Sequence, residues 1–502
     1  MALSFPRYGH GATGLVALVP LLVALSGWRG RAGVLPGHTF HRGFLLGLLT
    51  GAVHFAGTVY WTGATVRTFG GLPWPVAILT TLLLILYMSL FVAMTAGVTG
   101  VLVRCIGWAG LPLGAAAWVS FEYVRGFLFG GFPWIPLGNT MVTLLPIAQL
   151  ASAGGVYALS LFVGLINVGF ALMVVSTPRV RRTAMALTLA LVTLVSIWGG
   201  LRLSSNTLVE AGTPVRVALV QANIRQEDKW NGAKAGAIVD RYLALTRTAI
   251  AEGAEFVIWP ESATPFLFDE EPVGQALVRG FVERTGVPLL FGTDEVERGG
   301  ANRYYNSAYM LDSGGATAAV YRKIHLVPFG EYVPFKDLLF FVKPLVEAVS
   351  DFTPGAFVTM LPVNGHMAST AICYEVTYPS LMREAVRQGS ELLTTVTNDA
   401  WYGESSAPFQ HFEMAAMRAI EQGRYLVRAA NTGISGIVDP YGRVIARTRL
   451  GETTVVVGEA RFVQARTLYA TMGDRVAHAA IVLTVLALAA ALWRPWHSSS
   501  TT

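Results

Sequence analysis

Three side chains in the second half of the sequence could together transfer an acyl group. Glu261, Lys323 and Cys373 each stand at or just beyond the end of a short apolar run. A cysteine attacks a carbonyl carbon as its thiolate, and a free cysteine has a pKa of about 8.5, so a nearby carboxylate must accept the proton. A lysine ammonium can stabilise first the thiolate and then the oxyanion of a tetrahedral intermediate. This set of side chains predicts covalent catalysis by a thiol, with no metal or organic cofactor.

Each of the three residues also has an ordinary structural explanation. A cysteine at the end of a buried strand is often a small core residue. A glutamate that follows a proline, as Glu261 follows Pro260, can begin a helix. A lone lysine is usually a solvated surface charge. The prediction of a catalytic site therefore depends on a fold that brings all three side chains together.

The segment from 213 to 465 has the pattern of an α/β domain, in which short apolar runs alternate with helical stretches. The strand-like runs are Val215–Gln221, Phe256–Trp259, Pro288–Gly292, Ala368–Ile372 and Leu392–Thr397, and the helical stretches are Ala235–Glu252 and Gly274–Thr285. In such domains functional side chains lie just beyond the carboxyl ends of the strands. We therefore expect Glu261, Lys323 and Cys373 to meet at one edge of the domain.

The composition indicates that part of the chain lies in a membrane. Of 502 residues, 53% are hydrophobic and only 14% are charged, which excludes an ordinary water-soluble protein of this size. Residues 1–204 contain eleven arginines, no lysine and one acid, Glu122, whereas the remaining residues contain 26 basic and 30 acidic side chains. The excess of basic residues therefore concerns membrane topology and not nucleic acid, for which we predict no binding.

Membrane-spanning helices need about 20 predominantly apolar residues. Seven segments meet this requirement, namely 11–28, 43–63, 75–99, 106–124, 152–176, 183–203 and 475–493. Arginines concentrate in alternate loops, which assigns these loops to the cytoplasm and the segment 204–474 to the outside. We predict a transmembrane bundle of about six spans in 1–204, an extracytoplasmic catalytic domain in 205–467, and a last span with a short cytoplasmic tail in 468–502.

Two apolar segments outside these spans each have two interpretations. Residues 125–150 are either a re-entrant or interfacial segment or an ordinary amphipathic loop. Residues 329–346, with Phe335 and the run 338–341, are either a lid that enters the outer leaflet or a buried helix. Glu122 is expected to be a paired structural acid or a headgroup contact, and Cys105 to be inert.

Motifs over nearly the whole chain resemble the apolipoprotein N-acyltransferases, whose outer domain belongs to the nitrilase superfamily. The matching stretches are W-P-E-S-A-T-P at 259–265, Y-R-K-I-H-L-V-P-F-G-E-Y-V-P at 321–334, I-C-Y-E-V at 372–376, T-N-D-A-W-Y-G at 397–403, A-A-M-R-A-I-E-Q-G-R at 415–424 and N-T-G-I-S-G at 431–436. The resemblance implies a helical membrane bundle joined to an α/β nitrilase-like domain, an α-β-β-α sandwich.

The resemblance also implies a role for each matching residue. Cys373 is similar to the family's acylated nucleophile, Glu261 to its general base and Lys323 to its triad lysine, and Glu331 resembles a supporting carboxylate. The positions implied for substrate binding are Tyr374 and Glu375 beside the nucleophile, and Trp230 and Trp401 on outer loops.

The implied reaction moves a fatty acyl chain from a phospholipid, through a thioester on Cys373, to the N-terminal amine of a diacylglyceryl apolipoprotein. The expected location is the bacterial inner membrane, with the catalytic domain outside and the enzyme as a monomer. Family members usually carry eight spans, and A-L-S-F-P at the start resembles the loop after the first of them, so we expect that helix to be lacking or to be encoded upstream.

Two alternative functions remain open. A membrane-tethered nitrilase-like amidase would share the three residues and use water as its second nucleophile. A binding module on a transporter-like bundle is disfavoured, because the first six spans offer one acid and no lysine for an ion pathway.

Overall fold

The computed structural model describes residues 1–27, 38–300, 302–328, 330–332 and 352–493, which form two compact units. The helical unit contains Met1–Tyr60, Ile78–Leu201 and the chain from Asp474. The sandwich unit contains Trp61–Ala77 and Arg202–Gly473. The sandwich unit thus includes residues 61–77, which contain the loop between the second and third predicted spans, and the predicted domain boundaries stay a prediction.

The helices begin and end close to the predicted apolar segments. In chain order the α-helices of the described residues are α1 Val19–Leu25, α2 Phe40–Thr58, α3 Trp61–Phe69, α4 Trp74–Ile106, α5 Gly110–Arg125, α6 Leu145–Ala148, α7 Ala151–Val175, α8 Pro178–Ser205, α9 Thr207–Glu210, α10 Ala235–Ala251, α11 Pro272–Thr285, α12 Pro379–Arg387, α13 Ala407–Gln422, α14 Leu468–Met472 and α15 Arg475–Trp493.

Four helical stretches among the described residues are long and apolar enough to cross a membrane, or five if α2 and α3 are counted as one broken span. One of the four, Trp74–Arg125, is 52 residues long and contains the third and fourth predicted spans. The first predicted span is less regular. It consists of a 3₁₀ helix, Gly11–Leu15, and the seven-residue α1. At 1.5 Å per residue α1 covers about 10 Å, well short of a hydrocarbon core.

Residues 125–150 combine short helical turns with irregular backbone; most of 131–142 is buried inside the helical unit, whereas Phe127 and Phe129 are exposed. Trp134 and Ile135 are almost completely buried, as is Leu137. The Leu137 N–H donates to Glu122 at 2.7 Å, and Ser160 and Trp118 donate to the same carboxylate. Irregular backbone is tolerated in a membrane protein where other residues surround it. The buried part therefore does not fit an ordinary amphipathic loop, the interfacial interpretation of the exposed rings stays a prediction, and Glu122 is a structural acid.

The sandwich unit contains two six-stranded sheets. The strands are β1 Thr213–Gln221, β2 Phe256–Ile258, β3 Leu289–Glu297, β4 Arg303–Leu311, β5 Thr317–Arg322, β6 Leu361–Val363, β7 His366–Ile372, β8 Leu392–Thr397, β9 Leu426–Ala430, β10 Gly436–Val438, β11 Val444–Arg447 and β12 Thr454–Phe462. One sheet has the order β12-β1-β2-β3-β4-β5 and the other the order β11-β10-β9-β8-β7-β6.

The two sheets pack face to face, and helices cover their outer faces. Val217, Ile258 and Leu290 of the first sheet share a buried cluster with Ile372 and Val396 of the second. On the outer face of the first sheet, α10 and α11 bury an apolar stripe against β1, β2 and β3. On the second sheet, α12 and α13 cover the outer face. The predicted α-β-β-α sandwich is thus confirmed.

Candidate active site

Glu261, Lys323 and Glu331 form one buried ionic cluster. The Lys323 ammonium lies 2.8 Å from a carboxylate oxygen of Glu331 and 3.4 Å from one of Glu261. Glu261 follows β2 and Lys323 follows β5, so both come from ends of strands in the first sheet. Lys323 is 1% exposed. Burial alone would lower its pKa, but the two carboxylates outweigh burial and raise the pKa of Lys323 above its ordinary value. The lysine is therefore a permanent cation.

Neutral donors complete the surroundings of the Glu261 carboxylate. The side-chain amide of Asn306, on β4, donates to Glu261 and to Glu331 at 2.8 Å each, and the backbone N–H of Asn398 donates to the second oxygen of Glu261 at 2.8 Å. Burial opposes ionisation of Glu261, but Lys323 and these donors together hold the pKa of Glu261 below its ordinary value. Glu261 is therefore a carboxylate at neutral pH, ready to accept a proton.

A glycine on β3 lets the backbone of Glu261 approach the sheet. A Cβ atom added at Gly292 would lie 2.5 Å from the Cα atom of Glu261, which no real side chain tolerates. The Gly292 N–H donates to the carbonyl of Pro260, and the Ala263 N–H donates to the carbonyl of Gly292. The position of the carboxylate is therefore set by backbone contacts.

Cys373 lies at the end of β7 in the second sheet, in an unusual backbone conformation. Its φ is +53°, in the left-handed region that residues other than glycine seldom adopt. The side chains of Tyr402 and Thr397 hydrogen-bond to its thiol. Strain of this kind persists only where the surroundings enforce it, and it is concentrated at functional sites.

The thiol interacts electrostatically with both Glu261 and Lys323, so the fold brings the three predicted residues into one site. Burial and the negative charge of Glu261 outweigh the attraction of Lys323 and raise the pKa of Cys373 to about 12. The sulfur is therefore a protonated thiol at rest, beside an ionised carboxylate. Such a pair reacts by passing the proton to Glu261 as the sulfur attacks, not from a pool of thiolate.

This protonation state predicts an unusual pH dependence. Because ionised Glu261 accepts the thiol proton during the attack, alkylation of Cys373 by iodoacetamide should stay flat between about pH 7 and 9. Free cysteine instead gains steeply as it ionises near pH 8.5, and a buried thiol that reacted only as its free thiolate would gain about tenfold per pH unit. Burial lowers the pKa of Lys229, a neighbouring cation, to about 8. Deprotonation of Lys229 removes a positive charge that favours the Cys373 thiolate, so it cannot cause a rise in the alkylation rate. The measurement is peptide mass spectrometry on a Cys105→Ser variant, in which Cys373 is the one remaining cysteine. A sigmoidal rise of the alkylation rate centred near pH 8.5 would contradict the assigned thiol state.

Behind the nucleophile lies a second buried cluster, which includes Asp399, His411 and Arg428. The Nε2 atom of His411 lies 3.0 Å from the carbonyl oxygen of Cys373. Arg428 donates to both carboxylate oxygens of Asp399, at 3.2 and 3.0 Å. Burial raises the pKa of Asp399, but Arg428 and His411 reverse this effect and lower the pKa to about 2.

The two residues after the nucleophile are completely or almost completely buried. The Glu375 carboxylate accepts from the Tyr321 hydroxyl and from the backbone N–H groups of Ile324, His325 and Ile372, at 2.7–3.0 Å. These four donors tie the loop after Lys323 to the end of β7. Glu375 therefore shapes the pocket as a structural carboxylate. Its hydrogen bonds do not favour a direct contact with substrate. Tyr374 is 1% exposed and makes a T-shaped ring contact with Tyr378.

The two predicted outer tryptophans are exposed. Trp230 follows Lys229, whose buried ammonium donates to the backbone carbonyl of Glu261 at 2.8 Å. The Trp401 ring contacts Phe69 of α3 at 4.8 Å, and the Trp401 carbonyl accepts from Thr65 at 2.9 Å. The predicted lid at 329–346 lies outside the described residues, apart from 330–332.

Sequence reasoning missed several residues that the structure places around the triad. Asn398 and Asp399 directly follow β8, so the same strand-end signal would have indicated them. Lys229 stands next to a predicted site residue, Trp230. Asn306 lies within a strand and His411 within a helix, where residue type and spacing carry no signal of the site.

The described residues contain no group of three or more His, Cys, Asp or Glu side chains placed to hold a metal ion. The chemistry of the site is that of a carboxylate, an ammonium and a thiol. The absence of a cofactor from the reaction stays a prediction.

Known protein families match both parts of the chain. The Carbon-nitrogen hydrolase family matches residues 216–469, and the Apolipoprotein N-acyltransferase N-terminal domain matches residues 1–169. Among solved structures, a mutant of the Nesterenkonia AN1 amidase from the nitrilase superfamily is similar at 20% identity with a TM-score of 0.41, covering 54% of this chain and 97% of that one.

Curated relatives match nearly the full length. An apolipoprotein N-acyltransferase from Geobacter metallireducens is 38% identical over 493 residues, which cover 96% of this chain and 91% of the relative. The protein of the same name from Shewanella oneidensis is 33% identical, covering 94% of this chain and 90% of the relative. That from Bradyrhizobium diazoefficiens is 36% identical, covering 80% and 76%. The resemblance stated from the sequence motifs is thus confirmed.

Proposed function

The chain belongs to the apolipoprotein N-acyltransferase family, and from this premise we propose that Cys373, Glu261 and Lys323 carry out the acyl transfer. The protein is an acyltransferase of the membrane that acts on lipid and lipoprotein substrates. Its relatives match along both units, which does not favour the alternative of a membrane-tethered amidase.

In the first step the Cys373 sulfur attacks the sn-1 ester carbonyl of a phospholipid. The thiol proton passes to Glu261, and Lys323 stabilises the oxyanion of the tetrahedral intermediate. The C–O bond then breaks, and Glu261 returns the proton to the leaving alkoxide of the lysophospholipid. A thioester between Cys373 and the fatty acid remains.

In the second step the N-terminal amine of a diacylglyceryl apolipoprotein attacks the thioester. Glu261 accepts a proton from the attacking nitrogen, the C–S bond breaks, and the proton passes to the sulfur. The products are an amide and the original thiol. Because the acyl group rests on the enzyme between two substrates, the kinetics should be ping-pong.

The observation that carries this proposal is the pairing of an ionised Glu261 with a protonated Cys373 in one buried site. Glu261 touches Lys323 at 3.4 Å, and the thiol has its pKa raised to about 12 partly by that same carboxylate. A buried thiol of high pKa is inert without an adjacent base. Burial and the charge on Glu261 therefore keep the thiol protonated, and the same carboxylate is the means of removing the proton.

The location and the remaining contacts belong to the same proposal. The arginine distribution supports a bacterial inner-membrane protein whose catalytic unit faces the extracytoplasmic side. Both substrates are held in the bilayer by their acyl chains, at about 0.8 kcal/mol per buried CH₂, so the site must work at the membrane surface. The exposed rings of Trp230 and Trp401 are suited to contact such lipids, and Glu331 supports the lysine. The enzyme is proposed to act as a monomer.

Mass spectrometry of the enzyme after incubation with phosphatidylethanolamine alone tests this proposal. We expect a fatty acyl adduct on Cys373 that disappears when an apolipoprotein acceptor is added. Cys373→Ala should carry no adduct and transfer no acyl chain, whereas Cys105→Ser should behave like the wild type. Normal lipoprotein acylation by an enzyme whose Cys373 never acquires the adduct would overturn the covalent mechanism, and release of free fatty acid in place of the amide would favour an amidase.

A further inference from the structure

Three buried polar side chains stand directly behind the nucleophile, and the proposed reaction does not use them. Asp399, His411 and Arg428 are each at most 1% exposed. They come from three separate elements: the 3₁₀ helix Asp399–Tyr402, helix α13 and strand β9. Burying two charges and an imidazole is costly unless they hold one another in a fixed arrangement. This arrangement contacts the backbone of Cys373.

The protonation of His411 follows from its partners. Its Nε2 atom lies 3.0 Å from the carbonyl oxygen of Cys373, and a carbonyl oxygen can only accept a hydrogen bond. Burial and the charge of Arg428 lower the pKa of His411, whereas Asp399 and the two hydrogen bonds of the ring oppose that shift. The contact with the carbonyl oxygen requires a proton on Nε2, which His411 donates to Cys373.

The other ring nitrogen lies between a donor and an acceptor. Nδ1 of His411 lies 3.0 Å from the Arg428 guanidinium and 3.0 Å from the Asp399 carboxylate. A carboxylate oxygen can only accept, so Nδ1 donates to Asp399 when it carries a proton and accepts from Arg428 when it does not. In both cases Arg428 also donates to Asp399 and holds the carboxylate beside the imidazole. The Thr397 hydroxyl donates to Asp399 at 3.0 Å and fixes the carboxylate further. The orientation of the imidazole is thus determined on both sides of the ring.

The peptide group that His411 contacts is the one that sets the direction of the thiol. Cys373 has φ +53°, which a cysteine keeps only under constraint from its surroundings. The peptide bond after it is planar, so a hydrogen bond to its carbonyl fixes the plane of the whole group, including the N–H of Tyr374 on the opposite side. On the preceding side, the Ile372 N–H donates to Glu375 at 2.7 Å. Cys373 is therefore held between two buried anchors.

We propose that His411, held by Asp399 and Arg428, is a positioning residue that fixes the Cys373 peptide and aims the thiol at the ester carbonyl. This inference rests on the proposed role of Cys373 as the nucleophile. His411 acts through the backbone carbonyl and not on the sulfur, so its loss should slow the attack without changing the affinity for phospholipid.

A pair of amide substitutions tests the inference. The amide nitrogen of glutamine takes nearly the place of Nε2 of histidine, whereas that of asparagine takes nearly the place of Nδ1. His411→Gln should therefore retain the donor and acylate Cys373 within about threefold of the wild-type rate, and His411→Asn should lose about tenfold or more, with KM unchanged in both. The measurements are the single-turnover rate of acyl adduct formation, KM for phosphatidylethanolamine, and the thermal unfolding midpoint.

His366 supplies the matched control. It lies in the same unit, pairs with Glu391 at 2.7 Å and stacks on Phe462, but it does not contact Cys373. His366→Gln and His366→Asn should leave the acylation rate unchanged. The contrary outcome is that both His411 variants lose the same fraction of the acylation rate, with a loss that follows the fall in their unfolding midpoints. In that case His411 would act through packing alone, and the inference would be overturned.

Two further measurements decide the remaining cases. If His411→Asn does not fold, ¹⁵N NMR of histidine-labelled wild type, with the signal assigned through His411→Gln, shows which ring nitrogen carries the proton. A proton on Nε2 supports the inference, and a ring protonated on Nδ1 alone overturns it. The rate at which iodoacetamide alkylates Cys373 reports the orientation of the thiol in the absence of lipid. A third outcome combines two results: Cys373 of the wild type is never acylated, but iodoacetamide alkylates Cys373 more slowly in His411→Asn than in the wild type or in His411→Gln. That outcome would refute the proposed function and leave the inference standing.

Discussion

Replacing Glu261 with glutamine should abolish acylation of Cys373. The thiol has a pKa of about 12, so almost none of it is ionised at neutral pH, and an amide cannot accept its proton. General bases contribute factors of roughly 10² to 10⁴. Removing the charge of Glu261 lowers the pKa of the thiol, but burial still raises it, so we expect a loss within this range. The measurement is the rate of acyl adduct formation by intact-protein mass spectrometry.

Two other buried carboxylates serve as matched controls for Glu261→Gln. Glu331→Gln removes a partner of Lys323 but leaves the base in place, so the rate should fall much less. Glu375→Gln disturbs a carboxylate that accepts four hydrogen bonds, and its main effect should be a lower thermal unfolding midpoint. Acylation by Glu261→Gln within about tenfold of the wild type would show that another group accepts the proton.

Replacing Lys323 with methionine should both inactivate the enzyme and destabilise the sandwich unit. Methionine fills a similar volume, but it leaves the carboxylates of Glu261 and Glu331 without the cation that lies between them. Removing one partner of a buried ion pair typically costs on the order of 3–5 kcal/mol, because an uncompensated charge remains. The measurements are the acylation rate and the thermal unfolding midpoint in detergent.

The pH dependence separates this effect from a simple packing defect. In the wild type the pKa of Glu261 is depressed, so its contribution to stability is present above the ordinary carboxyl pKa and is lost as the pH falls. In Lys323→Met the desolvated carboxylate should have a raised pKa, and the penalty should vanish once it is protonated. The variant's unfolding midpoint should therefore approach that of the wild type as the pH decreases. A difference that stayed constant between about pH 7 and 4 would contradict the electrostatic origin.

The apolar pattern was sufficient to predict an α/β domain and the elements that carry the triad, and the family resemblance implied the sandwich. The buried strand Leu392–Thr397 was predicted at its observed bounds, and the runs before Glu261 and Cys373 are strands β2 and β7. This succeeded because strands buried on both faces are continuous apolar runs, and because functional side chains follow their carboxyl ends. Helix α10 was likewise predicted to within one residue.

The surroundings of the triad could not be predicted in this way. The pairing of Asn306 with both Glu261 and Glu331 depends on the register of β4 beside β5, which alternation along one strand does not determine. The contact of His411 with the Cys373 carbonyl depends on how α13 packs on the second sheet. The protonation state of Cys373 could not be predicted from the sequence motif either, because it results from burial and the charge of Glu261 together. These features arise from tertiary packing.

Helix α3 shows that the sandwich unit is not one continuous stretch of polypeptide. Its Trp61 ring contacts Tyr402, whose hydroxyl reaches the thiol of Cys373, and its Phe69 ring contacts Trp401. A soluble enzyme cut from the chain at residues 205 and 467 would lack this helix and leave both aromatic rings uncovered. For inhibitor screening in water, residues 61–77 would therefore have to be grafted onto such a fragment, or supplied as a synthetic peptide that complements it.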